Sequence, residues 1–385
     1  MKIKLTFILI LTSVFLSGCW DLVEIKDRAI ITAFGIDKSD MDGKITFTLQ
    51  TIIPSRISTP MKTSPEMKPS VRVVSKTTDS FADAIREYAK QAERRTYLMQ
   101  NRIIIIGEDM AKEGLTPAMD FFMRHPDSFQ GAWVLICKGK ASEIIKWNSE
   151  VERIPADFIE ELVKTRNFIC SSSVENIHTF VNKLSTKPTS PATAMIELVD
   201  SGNNETEARL SGIAVFKKDK MAGMLDNLET KGYTWINNER GRRLFEIGDI
   251  GKANVKMTHE IEGSRTKIIP ELINGKPAIL IKVNATTKIY VQDGSLDLDS
   301  QDTLKKLEKM LEEEIKSQIE ACLNKALKEY KTDIFGFGEK IHRKYPKEWK
   351  KFKVKWEDAL ADLKVITDVN VKTKSTGMII DTIKP

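Results

Sequence analysis

Leu16-Ser17-Gly18-Cys19 places a thiol behind two small side chains at the end of an apolar run. That order suits one chemistry. Ser17 and Gly18 let a peptidase approach an extended backbone, the cut falls between Gly18 and Cys19, and the Cys19 sulfur can be alkylated by a diacylglyceryl group. Other reactive residue types are scattered. His125, His178, His259 and His342 each stand without a second ligand at helical or turn spacing, which argues against zinc. Ser264-Arg265-Thr266-Lys267 has the letters of a Ser-x-x-Lys nucleophile, but that motif needs a helix start to bring both side chains to one face. The stretch reads as strand, where i and i+3 point to opposite sides. Phe335-Gly336-Phe337-Gly338 follows a helix and lacks the strand-turn-helix frame and third glycine of a nucleotide loop. Gly336 and Gly338 are therefore read as turn residues, with Phe335 and Phe337 anchoring the turn in the core. Asn204-Glu205-Thr206 and Asn284-Ala285-Thr286 are glycosylation sequons only on paper. No catalytic residue, cofactor or metal ligand is assigned, and the chain is read as non-enzymatic.

The segment before Cys19 explains its setting. Lys2 and Lys4 precede the run LTFILILTSVFL, Leu5 to Leu16, in the charged, apolar, small-residue order of a secretory signal. As a helix that run covers only ~18 Å, against a hydrocarbon core of about 30 Å. Residues 1–18 are expected to be cleaved, and Leu-Ser-Gly-Cys resembles the lipobox of exported bacterial lipoproteins. The alternative is an ordinary thiol behind an uncleaved leader. Two acyl chains hold a protein stably where one is marginal. The next most apolar run, Ile103 to Ile106, is flanked by Arg102 and Gly107, so the rest is expected to be a water-soluble body.

That body is large enough for two or three cores. The apolar fraction is 41% and the charged fraction 30%, as in ordinary globular chains. The formal charge of +6 is spread among interleaved acids and bases, which disfavours nucleic acid but leaves a weak attraction to anionic membranes. Cys137, Cys170 and Cys322 are odd in number and widely spaced: one disulfide in any of three pairings is possible, and buried free thiols are the preferred reading.

The elements that must position these residues alternate between strand and helix. AIITAFGIDKS and ITFTLQTII flank Asp42-Gly43, with Ile45, Phe47 and Leu49 on one parity, which predicts a hairpin with one buried face. Pro54, Pro60, Pro65 and Pro69 mark a loop over 54–70. A strand over 71–77 leads to a helix capped by Asp79 or Ser80, with Phe81, Ile85, Ala89 and Ala92 on its apolar face. Strands at 103–107 and 133–138 alternate with helices near 108, 141–147, 155–166 and 173–184. Gly202 to Thr206 is the best internal boundary, giving units 19–201 and 207–385. The second unit opens with two strands around Lys218-Asp219-Lys220 and shows a hairpin at Asn274-Gly275, in whose outgoing strand Ile281, Val283, Ala285, Ile289 and Val291 share parity. Leu304, Leu307, Leu311, Ile315, Ile319, Cys322, Ala326 and Tyr330 form the stripe of a long helix expected to pack on a sheet. LKVITDVNVKT and GMII read as closing strands. The fold class is α/β (α+β), with mixed sheets packed against helices.

From Cys19 onward the chain reads CWDLVEIKDRAIITAFGIDK, which resembles the start of the Ger(x)C family of spore germination lipoproteins; Trp20, Asp21, Glu24, Ile25 and Gly35 to Lys38 carry the match. IIIIGEDMAKEGL, Arg124, LSGIAVFKKDKMAGMLDNLETKGYTWI, DIFGFG at 333–338 and YPKEWKKFKVKW extend it over nearly the whole chain. RHPDSFQGAW departs by lacking a second arginine after Arg124. The resemblance implies a non-enzymatic C subunit of a nutrient germinant receptor, anchored by lipid on the extracytoplasmic face of the spore inner membrane. Its implied partners are the polytopic A and B subunits. The competing class is a solute-binding lipoprotein that hands a ligand to a transporter; it usually needs two similar lobes, whereas these halves differ. An envelope hydrolase lacks a recognisable nucleophile and base.

Overall fold

A computed structural model describes residues 23–57, 70–149, 151–169, 172–202, 205–239, 241, 243–247, 256–293, 298 and 300–375. Gly18, Cys19, Trp20, Asp21, most of the proline-rich loop, Cys170 and the GMII run lie outside them.

Strands β1 (Arg28–Lys38) and β2 (Ile45–Ile52) form the expected hairpin, with Gly43 in the left-handed conformation at its turn. Phe47 and Leu49 are buried as the alternation requires, but Thr48 and Gln50 are buried too. Helices cover both faces of this sheet, so a single buried face was too simple. Gln50 is accommodated because its amide is satisfied: Nε2 donates to the Ile145 carbonyl at 3.2 Å, and Oε1 accepts from Thr32 Oγ1 and the Ala156 N–H.

Strand β3 (Val71–Thr78) leads to α1 (Phe81–Ala89), whose first turn is capped by the Ser80 hydroxyl accepting from the Asp83 N–H. The fully buried row is Phe81, Ala84 and Tyr88; of the expected face Phe81 is buried, Ile85 and Ala92 pack against the core partly buried, and Ala89 is exposed. Next come β4 (Arg95–Tyr97), β5 (Ile103–Gly107), α2 (Glu108–Glu113), α3 (Thr116–Arg124), β6 (Trp133–Cys137), α4 (Ala141–Lys146) and α5 (Pro155–Ile169). A short β7 (Glu175–Asn176) and α6 (Ile177–Ser185) lead to β8 (Ala192–Gly202), β9 (Glu205–Lys217) and β10 (Lys220–Leu225). The sheet order is β10-β9-β8-β6-β5-β1-β2-β3, with β4 beside β1 and β7 beside β6. Its middle is parallel: β1 pairs β5, β5 pairs β6 and β6 pairs β8 in one direction. Helices α1, α2, α3 and α6 bury one face, and α4 and α5 the other. The expected division at 202–206 falls on the tip of the β8–β9 hairpin, and both strands belong to this first sheet. The backbone leaves it only after Leu225.

The second half begins with α7 (Asn227–Ile236), whose Asp226 and Glu229 form a reciprocal capping box. Strands β11 (Arg243–Ile247), β12 (Lys256–Ile273), β13 (Lys276–Asp293) and, at the chain's far end, β14 (Lys364–Ser375) form a separate sheet in that order. Asn274 and Gly275 both take positive φ, 51° and 76°, as a two-residue hairpin turn demands. On β13, Ile281, Val283, Ala285 and Ile289 are buried, whereas Val291 is half exposed at the sheet's end.

Helix α8 (Gln301–Leu323) is the predicted long helix: Leu311, Ile315, Ile319 and Cys322 join Ile281, Val283 and Val371 of the sheet in the core, and Leu307 packs in a smaller cluster with Met257, Ile289 and Leu298. At Gly232 of α7 a Cβ would sit 2.1 Å from the Gln318 carbonyl oxygen, so only glycine permits this approach of α7 to α8. The last turn, Asn324–Glu329, widens to π-helical bonding. It ends at Tyr330, whose hydroxyl donates to the Met224 carbonyl at 3.0 Å and accepts from the Met224 N–H at 3.2 Å on β10. Helices α9 (Phe337–Lys344), α10 (Pro346–Phe352) and α11 (Trp356–Ala361) complete the half.

Candidate functional site

The carboxyl ends of β1, β5 and β6, where parallel sheets commonly receive ligands, frame a cleft of about 600 Å³ lined by Asp37, Lys38, Asp109, Lys112 and Lys140 among others. Its innermost donors are already used. The Ala141 and Ser142 N–H groups at the start of α4 donate to the two Asp37 carboxylate oxygens at 2.6 and 2.9 Å. Burial pushes the Asp37 carboxyl above its ordinary range, and these donors pull it back. At Gly107 a Cβ would come within 2.4 Å of Asp37 Oδ1, and at Gly35 within 3.0 Å of Ile145, so both glycines make room for the plug. Gly35-Ile36-Asp37-Lys38 and Ile103 to Gly107 thus meet as structural partners, with Asp37 occupying the place an anionic ligand would take.

A second polar cluster lies where the halves meet. Asp333 is buried after α8, and its carboxylate accepts the N–H groups of Phe335, Phe337 and Gly338 at 3.2, 2.9 and 2.7 Å. Burial raises its pKa while the three donors oppose the rise. Its carbonyl accepts from the Ser190 N–H at 2.8 Å, and Thr332 Oγ1 donates to the Phe216 carbonyl at 2.9 Å, tying this corner to the starts of β8 and the end of β9. Gly336 is left-handed, as the turn reading expects, whereas Gly338 lies inside the first turn of α9. A Cβ on Gly338 would strike Pro188 at 2.3 Å and Trp349 and Trp356 at 2.9 Å. Phe335 and Phe337 are buried and stacked with ring centroids 5.0 Å apart.

Beside that corner Glu175 and Lys183 form a short ion pair, and Ser173 Oγ donates to Glu239 at 2.7 Å. Burial opposes the charge on Lys183, but the Glu175 carboxylate paired with it and Glu239 nearby prevail and hold the ammonium above the usual lysine range. Arg243 reaches the Glu239 and Thr234 carbonyls at 2.9 and 3.2 Å and lies 4.0 Å over the Trp235 ring. An adjoining cleft of about 250 Å³ is bordered by Lys183 and Thr189 from the first half and by Phe335, Glu339 and Arg343 from the second. The donors and acceptors of this arrangement are drawn from both halves.

The remaining sequence candidates do not converge. His125 ends α3, His178 pairs with Asn182 on α6, and His342 lies against Trp349. His259 is fully buried on β12, where burial lowers its pKa to about 4. Among the described residues no group of three or more His, Cys, Asp or Glu side chains could hold a metal. Ser264 and Lys267 lie on β12 as read, with Ser264 accepting from Arg243. Cys137 and Cys322 are buried free thiols in different clusters, and burial pushes both far above thiolate range at neutral pH. Asp37, Asp333, Glu175 and Lys183 were missed; a lone acid in an otherwise apolar strand and an acid just before a Gly-rich turn were the available signals.

Comparison with known proteins places this geometry. Residues 21–198 match the spore germination protein N-terminal domain, and residues 211–377 match the spore germination B3/GerAC-like C-terminal domain. Spore germination protein KC of Bacillus subtilis (strain 168) is 27% identical, the alignment covering 98% of this chain and 96% of that protein. Spore germination protein B3 of the same organism is 22% identical over 98% of each chain. The crystal structure of the GerBC protein aligns with a TM-score of 0.55 at 19% identity, over 89% of this chain and 96% of that one, and so shares the fold.

Proposed function

Because the chain belongs to the spore germination protein family that includes the C subunits of germinant receptors, we propose that it is the lipid-anchored, non-catalytic subunit of such a receptor. It would act as a scaffold or coupling component beside membrane-embedded A and B subunits on the extracytoplasmic face of the spore inner membrane. The observation that carries this reading is the match of both family domains, in order, across nearly the whole chain. Three features support it. The innermost donors of the strand-end cleft are taken up by Asp37, polar contacts join two unlike halves, and among the described residues no helix is long and apolar enough to cross a membrane. The anchor is assigned to Cys19 after cleavage at Gly18.

Deleting the gene in its sporulating host should abolish or slow germination with at least one nutrient; unchanged responses to every germinant, with no redundant paralogue, would overturn the reading. Mass spectrometry of the membrane-extracted protein should find a diacylglyceryl adduct on an N-terminal Cys19, and a peptide starting at Met1 with a free thiol would remove the anchor. Cys19→Ala should release the body from the membrane and reproduce the deletion phenotype.

A further inference from the structure

Residues 343–355 hold Arg343, Lys344, Lys347, Lys350, Lys351, Lys353 and Lys355 against a single acid, Glu348. That surplus of six equals the formal charge of the whole chain, +6, so the basic charge expected to be interleaved along the sequence is locally blocked here. All seven basic side chains are exposed, and Val354, between Lys353 and Lys355, is 83% exposed. Trp349 and Trp356 point the other way, into the core, with ring centroids 5.0 Å apart. Among the described residues none of Lys347, Lys350, Lys351, Lys353 and Lys355 forms an ion pair, unlike Arg343, which holds Glu339 at 2.6 Å.

The location matters as much as the charge. β1, β5, β6 and β8 run parallel, so all begin at one end of the first sheet. The chain coming from Cys19 enters at that end, through Arg28. The basic segment is fastened to the same end: Pro188, just before β8, and Trp349 and Trp356 crowd the same side of Gly338, and Lys217, the last residue of antiparallel β9, pairs with Glu357 at 3.1 Å. Fully extended, the stretch from Cys19 to Arg28 reaches at most about 30 Å. An acyl anchor on Cys19 would therefore hold this end of the body close to the headgroups.

We propose that the 347–355 segment is a membrane-facing surface that binds anionic phospholipid headgroups, with its lysines on the phosphates and Val354 at the interface. This proposal rests on the lipid-anchor reading above. Each lysine within a Debye length of a negative surface, about 8 Å at physiological salt, adds to the attraction. The body would thus sit on the membrane in one orientation instead of swinging on its tether.

The test uses the protein purified from membranes of producing cells and bound to vesicles of phosphatidylcholine alone or with phosphatidylglycerol. Flotation reports binding, and acylation by a membrane-impermeant lysine reagent reports exposure. Lys350, Lys351, Lys353 and Lys355 should react at least about threefold more slowly on anionic vesicles than on neutral ones. High salt should erase the difference, and Lys306 and Lys309 of α8 should react equally on both. The combined Lys350→Gln, Lys351→Gln, Lys353→Gln and Lys355→Gln variant should float as well as the parent while Lys347 loses its protection. Flotation with both vesicle types and no change in lysine reactivity would overturn the proposal and spare the anchor. Flotation with anionic vesicles only, with the same lysines protected, would support the surface and remove the anchor. Equal protection on neutral vesicles, or protection that needs another membrane protein, would also overturn it.

Discussion

Asp37 and Asp333 are both buried carboxylates that fill a set of backbone N–H donors, yet they serve different parts of the molecule. Asp37 works inside the first sheet, where it joins the end of β1 to the start of α4 and closes a place that related topologies leave open to ligands. Asp333 organises the turn into α9, and its own carbonyl takes the Ser190 N–H from the first half. The same chemistry thus closes a pocket in one place and joins two bodies in the other.

Asp333→Ala should have the largest effect, about 3–5 kcal/mol, because it leaves three buried donors without an acceptor. Urea denaturation followed by hydrogen exchange should show the second half losing protection first; simultaneous loss throughout would break the distinction. Asp37→Ala removes two acceptor contacts and should cost about 2–4 kcal/mol, with exchange rising at α4 and β1 while α9 stays protected. Acidification sharpens the contrast. His259 lies in the second sheet with a pKa lowered to about 4, against an ordinary value of 6.5, so the unfolded chain takes up a proton first as pH falls. Its full contribution is present above pH 6.5 and is lost towards pH 4. At pH 5 the loss is on the order of 2 kcal/mol. His259→Leu should flatten the stability-pH curve over that window, and β12 should loosen before β1 on acidification. Ser80→Ala, far from the seam, should cost only about 1 kcal/mol and leave the second half's exchange unchanged.

Local pattern carried much of this architecture. The turns at Gly43 and Asn274-Gly275, and the α8 stripe from Leu307 to Ala326, follow from periodicity and turn chemistry that act over a few residues. Failures arose where distant segments decide. Thr48 and Gln50 read as outward because alternation cannot reveal α4 and α5 on the second face. The Gly202 to Thr206 stretch lies between the two matched family domains, 21–198 and 211–377, while only pairing with β8 shows that β9 turns back into the same sheet. Asp37 and Asp333 fall within quoted motifs, but their roles were not legible there: their partners are backbone N–H groups, which carry no side-chain letter.

Tyr330 has a consequence for assembly. Its hydroxyl caps both polar groups of Met224 on the outermost strand, and its ring stands where a Cβ on Gly223 would be, 2.4 Å away. An extraneous chain seeking to polymerise along β10 finds that rim obstructed. Among the described residues the opposite margin of the larger sheet is β3.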